Sequence, residues 1–209
     1  MKYGVNTFIW TVSFTRENFP LLPEIKRHGF DGIEVSMFHP VDFALADIRQ
    51  GLAENQLECT ICSVIPRGLS VISDDASVRQ KTRVHLEECI KATAEVGAKI
   101  IAGPLYSPVG YLPGRRRTAD EWKWAVECYQ SLGPVLARHN VTVAIEPLNR
   151  FETSFLNTAE VQPRNNVALT IFSSSESRSS RLNFVKSGPT WPPWLCRVWQ
   201  APQVPMNTV

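Results

Sequence analysis

The sequence predicts an α/β protein, a parallel sheet with helices on its outside, followed by an irregular tail. Three observations predict this. Short apolar or β-branched runs alternate strictly with longer helical patterns over residues 1–160. Glycines at positions 29 and 97 stop two of the helical stretches. The character of the chain then changes: residues 1–160 hold 17 Lys and Arg against 19 Asp and Glu, and residues 161–209 hold 5 against 1. That second part carries 6 of the 15 prolines, 3 of the 6 tryptophans, 7 serines, and neither Asp nor His. The chain therefore reads as two parts, 1–160 and a Pro-, Ser- and Trp-rich tail, 161–209.

The elements follow in order. Residues 3–6 form a short first strand. Residues 17–28 form a helix, with Phe19, Leu21, Leu22 and Ile25 near helical spacing and Gly29 after them. Residues 32–36 are the second strand. Residues 42–55 are a helix whose stripe is Phe43, Leu45, Ile48 and Leu52. The apolar, β-branched run 58–64 is a third strand. A long helix over 77–96 stops at Gly97, and a fourth strand covers 99–103. A helix over 119–139 contains Gly133-Pro134, where a bend or a tightened turn is expected. Residues 142–146 are the fifth strand.

Strict strand–helix alternation admits an open doubly wound sheet or a closed (β/α)8 barrel. A dinucleotide-binding doubly wound sheet wants G-x-G-x-x-G directly after its first strand. Here Thr-Phe-Ile-Trp follows, and no phosphate-binding loop pattern occurs, so the barrel is preferred. Five units fill about 160 residues, and a full barrel takes roughly 250. The remaining 49 residues are too few for three more units, so the expectation is a barrel truncated to about five units. With the barrel broken there, the fifth strand would have an unpaired edge.

Composition excludes several classes. A formal net charge of +2 gives no argument for nucleic acid. No run of 18 apolar residues predicts a membrane span. The start, MKYGVNTFIW, lacks the apolar core and small-residue cleavage site of a secretion signal. Five cysteines without dense spacing fit a reducing compartment, so a cytoplasmic location is expected.

In such a barrel the chemistry sits at the carboxyl ends of the strands. Alternation along the fifth strand puts Thr142, Ala144 and Glu146 on one face and Val143 and Ile145 on the other. The apolar pair suits the helices, so Glu146 faces inward at the rim. A carboxylate there is costly unless it is paired or metal-bound. A structural ion pair with a Lys or Arg is the bland alternative.

Other residues carry two readings each. Glu34 on the second strand has an inward pocket position, and His39 follows at the rim. Trp10 and Phe14 lie in the first rim loop, and Tyr106 and Tyr111 in the loop after the fourth strand. They are candidate pocket walls, or they pack their loops. Arg115-Arg116-Arg117 is a phosphate-attracting run or a solvated loop. Cys59-Thr60-Ile61-Cys62 lies in a strand, where positions three apart face opposite sides, so buried thiols outweigh a redox or zinc site. Cys89 and Cys128 are core residues of helices, and Cys196 is unassigned. His28 and His139 end helices, where a cation suits the dipole. His85 is a mid-helix packing or surface residue.

Ile145-Glu146-Pro147-Leu148-Asn149-Arg150-Phe151-Glu152, followed by Leu156-Asn157-Thr158, resembles the ketose 3-epimerases within the xylose-isomerase-like TIM barrels. Gly29-Phe30-Asp31-Gly32-Ile33-Glu34-Val35 and Asp75-Ala76-Ser77-Val78-Arg79 resemble the same family's second-strand and third-helix segments. The resemblance covers about residues 1–160. It implies metal-dependent C3 epimerisation of a ketose or ketose phosphate. Glu146 would bind a divalent ion (manganese or cobalt, or else magnesium) and move the C3 proton. Glu152 would hydrogen-bond the hydroxyls near C1, and Arg150 would help hold that loop. Homo-oligomers are common among such proteins. DNA-binding relatives of this fold use many metal histidines, and only four histidines occur here.

The resemblance also implies an aspartate, a histidine and a second glutamate as further ligands. Where the aspartate segment would fall, the chain reads Ser177-Arg178-Ser179-Ser180-Arg181, and the tail's one acid is Glu176. A change of reading frame near residue 160 would account for the shift in composition. A genuine tail that wraps the barrel or binds a partner is the alternative. Two functions therefore stand side by side: a sugar epimerase, and a catalytically inactive remnant that binds.

Overall fold

The computed structural model describes residues 2–157 and 167–169. The regular elements follow as strand β1 (Gly4–Asn6), helix α1 (Leu21–Arg27), β2 (Gly32–Ser36), α2 (Leu45–Glu54), β3 (Glu58–Cys62), α3 (Ala76–Val96), β4 (Ile100–Gly103), α4 (Ala119–His139), β5 (Thr142–Ile145) and β6 (Val167–Leu169). All pairings are parallel, and the sheet order is the chain order, β1 to β6. A doubly wound sheet reverses its strand order at a switch point. No reversal occurs here, so the sheet winds in one direction, as a barrel does.

The two faces of the sheet differ in chemistry. Val5, Ile33, Val35, Ile61, Ile101, Val143 and Ile145 share one buried cluster with Leu22, Ile25, Ile48, Leu52, Leu86, Ile90, Leu132 and Leu136 of the helices. Ile100, Ala102 and Ala144 form a separate cluster. Successive residues of a strand point to opposite faces, so these three lie on the inner side. The outward Val143 and Ile145 and the inward Ala144 stand as their alternation predicts.

Local chemistry sets the element ends. Asp75 caps α3 by accepting the Ser77 N–H at 2.7 Å, and Gly97 closes it at φ +91°. Thr118 and Glu121 cap α4 reciprocally. Helix α4 runs through Pro134 as one element. Helix α1 is shorter than its pattern suggests. Residues 16–18 form a separate 3-10 turn, and Pro20 and Pro23 confine the helix to a start where missing N–H groups cost nothing. Helix α2 begins at Leu45 because Phe43 is extended (φ −99°, ψ 124°).

Beyond residue 160 the sequence predicts no strand, yet Val167–Leu169 pairs with Val143–Ile145. Strand β5 is therefore not an edge. Its outer row of peptide groups needs partners, and three consecutive apolar residues supply them. The 173–180 stretch, the Trp191–Trp194 cluster and Cys196 lie outside the described residues.

At the rim, β3 and β4 come so close that only glycine fits at position 103. Gly103 has φ +139°, and a Cβ there would lie 1.9 Å from the Ser63 carbonyl oxygen. Its own carbonyl accepts the N–H groups of Leu105 and Glu146, both at 2.9 Å. Gly103→Ala is expected to lower unfolding stability by about 2–4 kcal/mol. Gly68→Ala serves as control, since Gly68 has φ +87° and open space around it; it costs about 1 kcal/mol from backbone strain alone. Urea unfolding of both variants checks the difference, and equal losses would contradict the contact.

Candidate active site

Strand β5 delivers Glu146 to the rim. The residue follows Ile145 directly, and its N–H donates to the Gly103 carbonyl. Along the inner face Asn6, Glu34 and Thr60 stand side by side in register. Glu34 accepts from Asn6 Nδ2 at 2.7 Å through Oε2 and from Thr60 Oγ1 at 3.5 Å through Oε1. The Asn6 Oδ1 accepts the Phe8 N–H at 2.8 Å, which turns the amide NH2 toward Glu34. One layer higher, Cys62, Ala102 and Ala144 are in register. This layer carries small side chains, and Ala102 and Ala144 are buried with Ile100.

The electrostatics show which groups share this space. Burial pushes the Glu146 carboxyl up to about 7, and the carboxylates of Glu34 and Glu152 push it the same way. Burial also raises Glu34, against the pull of its bonds from Asn6 and Thr60. Burial, then Glu34, then Glu146 raise the Cys62 thiol. Glu34, Cys62 and Glu146 thus face one another across the inner side.

The segment after Glu146 folds into a tight loop. Asn149 organises it: its Oδ1 accepts the Phe151 N–H at 2.8 Å, and its carbonyl accepts those of Glu152 and Thr153. Its amide also donates to the Glu152 carboxylate. Asn157 Nδ2 donates to the carbonyls of Thr153 (2.8 Å) and Leu148 (3.1 Å). The Leu148 N–H reaches the Leu156 carbonyl at 3.1 Å. Glu152 is half-buried at the tip.

The candidate residues fare differently. Glu34, Glu146 and Glu152 come together. Trp10 stays at the rim, 46% exposed. Phe14 does not line a pocket: it is buried in the main core, stacked on Phe19 with centroids 6.0 Å apart. Tyr106 is buried as well and packs on Phe155 at 5.2 Å, so it supports the loop from behind. Arg150 does not hold the loop. It is exposed, with its guanidinium over the exposed Phe151 ring, and Asn149 and Asn157 do the holding.

The basic run is largely committed. Arg115 makes a two-pronged pair with the buried Glu121 at 2.8 and 3.0 Å, and Arg117 donates to the Phe155 carbonyl at 3.0 Å. His39 is exposed. Cys59 packs toward the helices and Cys62 faces inward, with both thiols raised by burial, so this pair makes neither a redox nor a zinc site. Asn6, Thr60, Asn149 and Asn157 escape the sequence reading. Asn6 and Thr60 were accessible through the same alternation that places Glu146.

A divalent ion finds an incomplete donor set. Among the described residues no group of three His, Cys, Asp or Glu could hold a metal. Glu146 is one donor, and Glu34 is already bonded to Asn6 and Thr60. The described residues therefore do not fit a metal centre. No described helix is long and apolar enough to cross a membrane.

The Glu146 shift carries a prediction. Folding raises this group from the ordinary 4.5 to about 7, so the folded chain binds more protons than the unfolded chain between those values. This contribution is fully present below pH 4.5, falls as pH rises, and is fully lost above about pH 7. The loss is on the order of 3 kcal/mol. Glu146→Gln is expected to flatten the decline between pH 5 and 8; Glu34, also raised by burial, acts in the same direction in both proteins. Urea unfolding across that range checks it; parallel curves for the two proteins would refute it.

Comparison with known proteins supports the same architecture. The family model "Xylose isomerase-like TIM barrel" matches residues 22–163. A "Probable ketose 3-epimerase" of Synechocystis sp. is 32% identical over 158 residues, covering 76% of this chain and 55% of that protein. The L-ribulose 3-epimerase of Mesorhizobium japonicum is 27% identical, covering 76% and 53%. A crystal structure of D-psicose 3-epimerase in the presence of D-fructose superposes with TM-score 0.71 at 25% identity, covering 82% of this chain and 63% of that one. The chain spans about half the length of the curated relatives it matches. Sequential parallel winding, a carboxylate at the end of β5 and the matched family model agree: the chain belongs to the xylose isomerase-like TIM barrel family.

Proposed function

We propose that this chain carries the proton-transfer side of a sugar epimerase or isomerase site that acts on a ketose, with Glu146 as the base. The observation that carries the reading is the Glu146 carboxyl, half-buried at the end of β5 and titrating near 7 beside two further carboxylates. A group poised there can both take and return a proton at neutral pH.

The step begins with a ketose whose C3–H points at Glu146. The carboxylate takes the proton, the C–H electron pair becomes the C2=C3 double bond, and the C2 oxygen takes the charge. Inversion of that centre needs a second acid on the opposite face of C3 to deliver a proton there, a group that would come from outside the described residues; Glu146 alone returns the proton to the face it left. Glu152, at the loop tip, suits hydrogen bonds to sugar hydroxyls, and exposed Trp10 suits stacking on a sugar carbon face. With Arg115 and Arg117 engaged by Glu121 and the Phe155 carbonyl, a free ketose fits better than its phosphate.

The charge on O2 must be met by a cation or by donors. Among the described residues no metal centre supplies one. A divalent ion such as manganese, cobalt or magnesium enters this reading only with donors from outside them. The same observation favours a second reading, a sugar-binding protein without turnover.

Incubation of the full chain with D-psicose, D-fructose or L-ribulose in D2O, with manganese or cobalt added, separates the two. The epimerase reading expects deuterium at C3 and a loss of at least a hundredfold in Glu146→Gln, the scale of a general base. No deuterium at C3 with any of these sugars leaves the binding reading. Exchange undiminished in Glu146→Gln removes Glu146 from its role.

A further inference from the structure

The loop that carries Glu152 is tied to a second segment, residues 104–118, at three places. At its tip, the Glu152 carbonyl accepts the Gly110 N–H at 2.7 Å. Beside it, Tyr111 and Thr153 form a parallel bridge. On its returning limb, the Phe155 carbonyl accepts from Arg117 Nη1 at 3.0 Å. The Arg117 guanidinium also lies over the Trp122 ring, 4.7 Å from its centre. Trp122 packs at a tilt on Phe155 (5.9 Å), and Phe155 packs at a tilt on Tyr106 (5.2 Å).

The 104–118 segment is itself anchored to α4. Arg115 grips Glu121 with two hydrogen bonds, and Glu121 also accepts the Thr118 N–H at 2.7 Å. Arg117 thus lies between two fixed bodies, the first turn of α4 and the limb 153–157. With the guanidinium over the Trp122 ring, the Nη1 donor reaches the Phe155 carbonyl. The limb it holds is paired through Leu148 and Leu156 with the residues that follow Glu146.

We propose that Arg117 is a positioning residue for the candidate site: by clamping the Phe155 carbonyl against Trp122, it fixes the 147–157 loop and with it the place of Glu152. The inference rests on the reading of the site given above. Arg117 touches no substrate and acts through Phe155. The phosphate role open to the basic run gives way to an internal one.

Amide hydrogen exchange on the full chain tests the clamp without requiring turnover. Arg117→Ala is expected to speed exchange at Gly110, Leu148 and Thr153 roughly tenfold or more, since each N–H bonds across or within the clamped loop. Amides of β4 and β5, such as Ile101 and Val143, should keep their rates. Arg117→Lys, which keeps a stacking cation and a donor, should recover most of the protection. Loop rates within twofold of the original, or a rise spread evenly over β4 and β5, overturns the proposal.

Where the chain exchanges the ketose C3 proton, Arg117→Ala should raise KM about tenfold with a smaller change in kcat, because Glu152 binds and Glu146 reacts. An unchanged KM also overturns the proposal. A parent chain that exchanges no C3 proton rejects the reading of the site, and amide exchange then decides the clamp by itself.

Discussion

The period-two alternation of a sequentially wound parallel sheet is the constraint from which the rest follows. Every strand must give one set of side chains to the helices and the other to the inner side. Val5, Ile33, Val35, Ile61, Ile101, Val143 and Ile145 satisfy the first demand together with the helix stripes. That commitment fixes the opposite set without further choice. Asn6, Glu34 and Thr60 form one inner row, and Cys62, Ala102 and Ala144 the next. A slip of one residue in β2 would bury Glu34 among the helices and turn Ile33 inward. The apolar face therefore specifies where the polar chemistry stands.

Much of this is legible in the sequence because it depends on local period. The strand–helix order, the inward Ala144 and Glu146, and the glycine stop after α3 need only neighbours along the chain. What is not legible depends on contacts between distant segments. Phe14 reads as a rim aromatic, yet it packs on Phe19 inside the core. Tyr106 reads as a pocket wall, yet Phe155 covers it. Arg150 and Arg117 are both arginines near the site, and their roles are the reverse of what proximity to Glu146 suggests. Arg150 lies on an exposed ring, and Arg117, 38 residues from its acceptor in the chain, holds the loop. Strand β6 escapes for a related reason. Three residues carry little periodicity, and their pairing is decided by the open row of β5.

The rim is built differently from the sheet below it. There, close approach and hydrogen bonding replace apolar packing. Gly103 lets the β4 backbone pass the Ser63 carbonyl, and its own carbonyl holds the first residue beyond β5. Asn149 and Asn157 then close the following loop on itself, and Gly110 and Arg117 tie it outward. Asparagine suits this task because one side chain both accepts and donates across a tight turn. The result is a loop held by backbone and asparagine hydrogen bonds and by the 104–118 segment, with no cation on its carboxylate among the described residues.

That lack of a cation bears on the charge of Glu146. Burial and two neighbouring carboxylates all act in one direction on it, raising its pKa. Elsewhere in the fold a buried acid does meet a cation, at Glu121 and Arg115. There burial would also raise the acid, but the bonds from Arg115 and Thr118 outweigh it and the carboxyl ends lower than usual. The two glutamates show the same desolvation met in opposite ways. At Glu121 a guanidinium and a helix cap neutralise it, which fixes a helix start. At Glu146 no such partner opposes the like charges, and the carboxyl is pushed up to about 7. A fold that serves only packing has no use for the second arrangement, because each unpaired acid on the inner face lowers stability as it ionises. A site that must exchange a proton with a weakly acidic carbon requires a base of that kind. Burial thus acts on both glutamates, and the partners differ: a guanidinium and a helix cap at Glu121, two further carboxylates at Glu146, which is the arrangement the proposed proton transfer calls for.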